Sequence, residues 1–204
     1  MTLNVFLDAN VLVPIAVTDV LMRLGTAGLI DPRWSEQVLD EVEQALLRVH
    51  PDMPKERIKR RLEFMASAFE YAMTEVDDQT VSSLQLPDAD DRHVLAGAIL
   101  SEATIIVTNN TKDFPASALA EHGIQAKTPN RLLRDLLEAE PERTIQVIRD
   151  AASATRNPPL SVAHILESLG KAQAAGFSAA AAAWLRAHAV SANAADSNQT
   201  QSET

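Results

Sequence analysis

NVFLD, residues 4–8, is a short apolar run that stops at an aspartate. The run predicts a buried strand over Asn4–Leu7, which leaves Asp8 at its carboxyl end. A second run, TIIVT at Thr104–Thr108, is β-branched and apolar throughout, which is typical of an inner strand of a parallel sheet. Shorter runs predict two more strands, at Ala72–Val76 and Ile124–Ala126.

Helical spacing fills the segments between these runs. Apolar residues recur every three or four positions across Val11–Leu29, from Ser35 onward, across Lys55–Ala72, and from Asp88 to about Glu102. Strands that alternate with helices predict an α/β domain in three layers, with a central parallel sheet of about four strands. Functional sites in such sheets lie beyond the carboxyl ends of the strands, so Asp8 and the loop after the second run should meet.

The chain changes character after Pro129, where no further strand is evident. Pro141 and Pro158–Pro159 separate segments of helical spacing, and the last residues are small and polar. We therefore predict an α/β domain over residues 1–128, an all-helical extension over 129–188 and a disordered tail over 189–204.

Composition excludes several classes of protein. The 204 residues contain no cysteine, so disulfides and thiolate metal sites are excluded, and a reducing cytoplasm is the expected location. The N-terminal residues show no secretory signal, and no window of about 18 residues is apolar enough to predict a membrane span. The net charge of −10 disfavours a sequence-blind nucleic-acid-binding scaffold, because affinity for phosphates comes largely from Lys and Arg.

Acidic residues stand near the predicted strand ends, and each has a structural alternative. Asp8 could equally be the N-cap of the following helix, and Asn10 could form an Asx turn there. Asp88, Asp90 and Asp91 open one helix, where one would cap it and the others would favour its dipole. Three acids within four positions nevertheless exceed what capping needs, and their surplus charge repels itself unless a cation is present.

The loop TNNTKD adds a further acid, Asp113, beside the neutral groups of Thr108, Asn109 and Asn110. Asp113 alone could be a turn former. Acids at two strand ends and at a helix start jointly predict converging carboxylates, which suit a hard divalent cation such as Mg²⁺. Such a site activates water and neutralises a phosphodiester in an in-line displacement.

Four stretches in this order resemble a PIN domain: FLDANVL, WSEQVLDEVEQAL, DADDRHVLAGAI and IIVTNNTKDF. The resemblance covers about residues 3–138 and is greatest to the VapC-type toxin ribonucleases of bacterial toxin–antitoxin pairs. It implies a metal-dependent endoribonuclease, the toxin of a type II pair, that hydrolyses RNA with water activated by a carboxylate-bound Mg²⁺ or Mn²⁺. It also implies a homodimer and a small cognate antitoxin that occupies the site.

The resemblance assigns four acids as catalytic residues: Asp8, Glu41, Asp91 and Asp113. Glu41 depends on the resemblance, since a solvated acid is the simpler interpretation of its helix position. Asp91 is preferred over Asp90 because its spacing to the alanines of the following helix fits better. Asn110 stands where many relatives carry Asp, which leaves Asp113 as the fourth acid and favours one metal site over two.

Three of these acids are the expected metal ligands: Asp8, Asp91 and Asp113. Four further residues are expected to support the site: Asn10, Asp90, Thr108 and Asn110. His93 has two interpretations: it approaches the metal or the phosphate, or it is structural. The structural interpretation is preferred, because its spacing does not place it on the face of Asp91.

A basic helix offers the candidate surface for RNA. The segment PKERIKRRLEF turns Ile58 and Leu62 inward and leaves four candidate RNA-binding residues outside: Lys55, Lys59, Arg60 and Arg61. The alternative is a solvated face balanced by Glu56 and Glu63.

Other classes of protein also begin with an aspartate at a strand end. A phosphatase of the haloacid dehalogenase type needs a second acid two residues on, where this chain has Asn10. A receiver domain needs a pair of acids after its first strand, where only Asp8 is present. A catalytically weak PIN fold that only binds RNA or a protein is a third alternative, which Asn110 keeps open.

Overall fold

The protein forms a four-stranded parallel sheet, and the computed structural model describes residues 2–154 and 160–199. The strands lie in the order β2-β1-β3-β4, which makes the first strand an inner one. Their bounds are Leu3–Leu7 for β1, Ile30–Arg33 for β2, Ile105–Val107 for β3 and Gln125–Lys127 for β4. Val5 pairs with Ile105 and Leu3 with Ile30, which sets the register of β1 against both neighbours.

Helices alternate with the strands and then continue alone. Their bounds are Ala9–Leu12 for α1, Ile15–Thr26 for α2, Glu36–Val49 for α3, Lys55–Ala68 for α4, Asp78–Ser83 for α5, Arg92–Leu100 for α6, Ala116–Leu119 for α7, Pro129–Ala139 for α8, Pro141–Ala154 for α9, Val162–Leu169 for α10 and Ala175–Gln199 for α11. Short 3₁₀ turns cover Thr111–Asp113 and Ala120–His122, and a kink over Gly170–Ala174 joins α10 to α11.

Both faces of the sheet are covered. Consecutive residues of a strand point to opposite faces, and Val5, Phe6 and Leu7 of β1 are all fully buried. Helix α6 lies so close to β1 that a Cβ on Gly97 would stand 2.2 Å from Cζ of Phe6. The predicted three-layer α/β domain with about four parallel strands is therefore confirmed.

The edge of the sheet differs from the sequence-based expectation. Residues 72–76 form no strand, only a single parallel bridge between Met73 and Trp34. The fourth strand is β2 instead, and its sequence IDPR lacks the apolar run of a buried strand. Pro32 cannot donate a hydrogen bond to a neighbouring strand, but an edge strand tolerates proline.

The helix expected to open at Asp88 begins later. Asp88 Oδ1 accepts a hydrogen bond from the Asp90 amide over 3.0 Å, which forms a turn. Helix α6 then begins at Arg92, with Asp91 as its N-cap residue. The cluster of acids is therefore spread over a turn rather than over the first turn of a helix.

Proline divides the stretch expected as one helix over Val11–Leu29. Helix α1 ends before Pro14 and α2 begins after it, since proline lacks the N–H that an uninterrupted helix needs. Helix α3 has Ser35 as its N-cap residue, and the Ser35 side chain accepts a hydrogen bond from the Val38 amide.

The helices after β4 pack onto the sheet domain. Helices α9 and α10 both contact α2, and Arg143 Nη2 donates a hydrogen bond to the Ala27 carbonyl over 2.6 Å. Leu133, Ile145 and Phe177 are fully buried and belong to the same hydrophobic cluster as the strands. Apolar contact is therefore continuous from the sheet into the extension.

The boundaries of the three predicted segments stay predictions. Helix α8 begins at Pro129, directly after β4, while α11 is assigned through Gln199, beyond the predicted end of the extension at residue 188. Residues 200–204 of the predicted disordered tail lie outside the described residues. Within residues 2–154 and 160–199, no helix is both long and apolar enough to cross a membrane.

Candidate active site

Asp8 lies at the carboxyl end of β1 and is only 5% exposed. It precedes α1 as the N-cap residue, yet its side chain makes no capping hydrogen bond. Oδ2 instead accepts hydrogen bonds from Thr108 Oγ1, over 2.6 Å, and from Asn10 Nδ2. Burial raises the pKa of Asp8, the hydrogen bond from Thr108 opposes this rise, and the negative charge of Glu41 adds to it.

A network of polar side chains joins the ends of β1 and β3. Thr108 is fully buried, and besides donating to Asp8 its Oγ1 accepts hydrogen bonds from Asn10 Nδ2 and from the Asn110 amide, each over 3.0 Å. Asn10 Oδ1 in turn accepts from the Asn109 amide over 2.9 Å. Asn10, Thr108 and Asn110, three of the residues predicted to support the site, therefore do meet at one place.

Asp91 reaches the same place from the start of α6. Its Oδ2 is buried and has no hydrogen-bond partner within the described part of the chain. Burial and the negative charges of Asp8, Asp88 and Asp113 raise the pKa of Asp91 to about 6, and the charge of His93 opposes this rise. Since charges act appreciably only at short range in salt solution, Asp8, Asp88 and Asp113 each lie within electrostatic range of Asp91.

Asp113 is held by the 3₁₀ turn Thr111–Asp113, which follows β3. Its Oδ2 accepts a hydrogen bond from Asn110 Nδ2. The side-chain amide of Asn110 therefore orients the Asp113 carboxylate. Position 110 is the one at which the resemblance leads us to expect an acid.

Glu41 approaches the acids from α3. Its Oε1 lies 3.0 Å from Nε2 of His93 and accepts a weaker hydrogen bond from Gln37 Nε2 over 3.4 Å. Its negative charge contributes to the raised pKa of Asp8, so it belongs to the same group of carboxylates. Asp8 thus lies within electrostatic range of Glu41 and Asp91, and Asp91 within range of Asp113, while the catalytic roles of the four acids stay predictions.

The two remaining acids before α6 differ in their surroundings. Asp90 is exposed, and its charge is not among those that raise the pKa of Asp91. Asp88 is also exposed, but its charge is among them. Asp88, one of the three acids expected to open the helix, therefore lies within electrostatic range of Asp91, and the supporting role of Asp90 stays a prediction.

The donor set fits an oxygen-liganded divalent cation. Asp91 Oδ2 is a buried oxygen without a hydrogen-bond partner in the described part of the chain, and burial of such a group is unfavourable. The negative charges around it are unfavourable as well. A small divalent cation would reduce both unfavourable terms. Within residues 2–154 and 160–199, no three His, Asp or Glu side chains are already gathered closely enough to hold an ion.

The four basic residues of α4 do not form one surface. Lys55 is exposed at the start of the helix. Lys59 stands 3.8 Å from Glu63 and lines a groove of about 1010 Å³ whose other charged residues are acidic, among them Glu36, Asp40 and Glu43. Arg60 is exposed in a different groove, beside Phe64 and Ile15.

Arg61 is directed inward. Its Nη2 donates hydrogen bonds to the Leu12 carbonyl over 2.6 Å and to Thr18 Oγ1 over 3.0 Å. Both acceptors lie where α1 ends and α2 begins, so the guanidinium ties α4 to the helix that follows Asp8. We therefore expect Arg61 to stabilise the fold rather than to contact RNA.

Sequence reasoning missed the relationship between His93 and Glu41. His93 is two positions after Asp91 in the sequence, and nothing in that spacing indicates that a side chain of α3 lies opposite. His93 stands near the start of an apolar helix, where a polar side chain is expected to be buried. A buried polar group needs a partner, and this was the one signal for the contact in the sequence.

Two family models and one curated relative match the sequence of the chain. A family model described as PIN domain matches residues 4–112, and one described as VapC50 C-terminal domain matches residues 129–183. A Mycobacterium tuberculosis protein named "Putative ribonuclease VapC50" is 41% identical over 81 residues. That alignment covers 40% of this chain and 48% of the relative, so it spans about half of the relative's length. No solved structure matches the chain at a significant level.

The first family model covers more than half of the 204 residues, and it includes the strands and helices that carry Asp8, Glu41 and Asp91. Its last matched residue, at position 112, lies directly before Asp113 in the 3₁₀ turn after β3. On these grounds the chain belongs to the PIN domain family.

Proposed function

We propose that this chain is a metal-dependent endoribonuclease and the toxin of a type II toxin–antitoxin pair. The observation that carries the proposal is the convergence of acids from distant parts of the sequence at the carboxyl end of the sheet. Asp8 and Asp113 follow two adjacent strands, and their charges act on Asp91 at the start of α6. Membership of the PIN domain family and a relative named as a ribonuclease support this class of activity.

Asp8, Asp91 and Asp113 would hold the cation, Mg²⁺ or Mn²⁺. When bound, it would activate water and neutralise the phosphodiester in an in-line displacement. Other residues would position these ligands by hydrogen bonds: Thr108 and Asn10 bind the Asp8 carboxylate, and Asn110 binds that of Asp113. We propose that Glu41 Oε2 orients the attacking water or accepts its proton, because Oε1 already faces His93.

RNA and a cognate antitoxin would both bind at this site. We propose Lys55 and Arg60 as contacts to RNA phosphates, since both are exposed on α4. We also propose a homodimer and a small cognate antitoxin that covers the acids. The support for these partners is the likeness to VapC-type proteins, which includes the C-terminal helices.

A second candidate function is an RNA- or protein-binding module without catalysis. The observation that favours it is the contact between Asn110 and Asp113, because an amide stands where an additional metal-binding carboxylate could be. With one fewer acid, binding of a cation would be weaker than in relatives that carry Asp there.

One experiment distinguishes these functions. Structured RNAs are incubated with the protein and with its Asp8→Asn variant, with Mg²⁺, with Mn²⁺ and with a chelator. Metal-dependent cleavage that the variant loses is the expected result. The control is Asp150→Asn, an exposed acid on α9, which should cleave as the original protein does.

Other outcomes would point elsewhere. Binding of RNA without cleavage, at any metal concentration, would favour the binding module. Release of phosphate from small phosphate esters, with intact RNA, would contradict the nuclease and favour a phosphatase.

A further inference from the structure

We propose that His93 is a positioning residue that holds Glu41 at the group of carboxylates, an inference that rests on the proposed function. His93 is 4% exposed, and its Nε2 lies 3.0 Å from Oε1 of Glu41. A carboxylate can only accept, so Nε2 carries the hydrogen and donates it to Glu41.

The ring of His93 has one polar contact in the described part of the chain. Its Nδ1 is buried and has no hydrogen-bond partner there. Burial of an unsatisfied nitrogen is unfavourable, so a histidine that only filled space here would leave the protein less stable than a leucine would. We infer that a histidine occupies this position because its Nε2 can bind Glu41.

Glu41 has little else to fix its side chain. Its side chain is 39% exposed, and its other hydrogen bond, from Gln37 on the same helix, is 3.4 Å long. A glutamate with several rotatable bonds would otherwise spend much of its time in solvent, away from Asp8. Helix α3 contacts α1, which directly follows Asp8, so the contact with His93 keeps Glu41 beside the start of α6, which carries Asp91.

The start of α6 serves both carboxylates. Asp91 is its N-cap residue and His93 is two positions later, so one backbone segment sets the position of a proposed metal ligand and of the residue that holds Glu41. The same helix is fixed against β1 at Gly97, where a Cβ would collide with the ring of Phe6. We infer that α6 fixes Asp91 and Glu41 together relative to Asp8.

The contact itself is tested without metal. Nitrogen-15 spectra of the histidine rings are compared between the protein and its Glu41→Gln variant. We expect the Nε2 resonance of His93 to shift, because the carboxylate acceptor is replaced by an amide, while the rings of His50 and His164 stay unchanged. An unshifted His93 resonance would overturn the inference and leave the proposed nuclease function intact.

The effect on the site is tested by Mn²⁺ affinity, measured by electron paramagnetic resonance on the full chain. His93→Leu should weaken binding about tenfold, as substitutions just outside the ligands commonly do, because it releases the negative charge of Glu41 from beside the three proposed ligands. His93→Gln should keep most of the affinity, because its side chain offers an N–H near the position of Nε2. In a Glu41→Gln background, His93→Leu should cause little further loss, because the two residues act as one unit.

Three results would overturn the inference. One is an equal loss for His93→Leu in both backgrounds, and another is an equal loss for the Leu and Gln variants. Urea unfolding of each variant separates these from loss of the fold, since the affinity is compared only among variants that unfold in one cooperative step. The third, absence of Mn²⁺ binding by the original protein, would overturn the proposed function as well.

Discussion

Thr108 Oγ1 donates a hydrogen bond over 2.6 Å to Asp8 Oδ2, although 100 positions separate the two residues in the sequence. The bond joins the ends of the adjacent strands β1 and β3, and both residues are buried. Hydrogen bonds to charged groups in such surroundings contribute about 1.5–3 kcal/mol. The position of the central carboxylate therefore depends on the register between these two strands.

Replacement of Thr108 by Val keeps the shape of the side chain and removes its hydroxyl. The Asp8 carboxylate loses a donor and the Asn110 amide loses an acceptor, so we expect a loss of about 1–3 kcal/mol in the free energy of unfolding. Urea unfolding measures this loss, and Thr108→Ser, which retains the hydroxyl, is the matched control. Equal stability of the Val and Ser variants would show that the hydroxyl is dispensable.

Asp91→Asn should make the metal-free protein more stable near neutral pH. The folded chain raises the pKa of Asp91 to about 6, so it binds the proton more tightly than the unfolded chain does. Stability from this group therefore falls as the pH rises from about 4 to about 6 and then stays constant. Asn carries no charge, so the gain over the original protein should be small near pH 4 and largest above pH 6.

The measurement is urea unfolding at a series of pH values with a chelator present. Added Mg²⁺ should make the original protein more stable than Asp91→Asn at neutral pH, because a ligand of the folded state stabilises only the protein that binds it. A variant that is no more stable than the original protein at neutral pH would contradict the repulsion among these acids.

Gly97→Ala should destabilise the protein, because the new Cβ would lie 2.2 Å from Cζ of Phe6 and the ring is fully buried. Overpacking of this kind costs about 1–3 kcal/mol, measured by urea unfolding. Phe6→Leu in the same chain should recover part of the loss, since it removes the ring that collides. Purely additive effects of the two substitutions would argue against the close approach of α6 and β1.

Arg61→Met and Arg60→Met should have opposite consequences. Arg61→Met removes two donors from the junction of α1 and α2, and we expect a loss of about 1–3 kcal/mol in stability. Arg60→Met changes an exposed residue, so its stability should alter by less than about 0.5 kcal/mol while RNA affinity and its salt dependence decrease. Unfolding curves together with RNA binding at two salt concentrations decide the point, and an unchanged salt dependence for Arg60→Met would exclude it as a phosphate contact.

The sequence predicted the strands whose composition is unambiguous. β1 and β3 are buried apolar runs, and their pattern is dictated by burial on both faces. β2 could not be predicted, because an edge strand needs neither an apolar run nor every backbone N–H, and IDPR has the composition of a turn.

The candidate site was predictable in part for a related reason. Asp8 and Asp113 follow strands, and the geometry of a parallel sheet brings such residues together whatever lies between them. Glu41 could be placed only through the likeness to a family, because its helix position alone does not distinguish a solvated acid from one that faces a site. The inward direction of Arg61 and the partner of His93 depend on packing between helices, which periodicity does not encode.

Because α9 and α10 rest on α2 and share one apolar cluster with the strands, the sheet and the helical extension should unfold in a single cooperative transition. A chain truncated after residue 128 would leave the covered surface of α2 open to water, together with the apolar residues around it. We expect such a fragment to aggregate on expression, while the full chain stays monodisperse in size-exclusion chromatography. The helices beyond β4 thus cover apolar surface of the domain that carries the acids, and enzyme assays should include them.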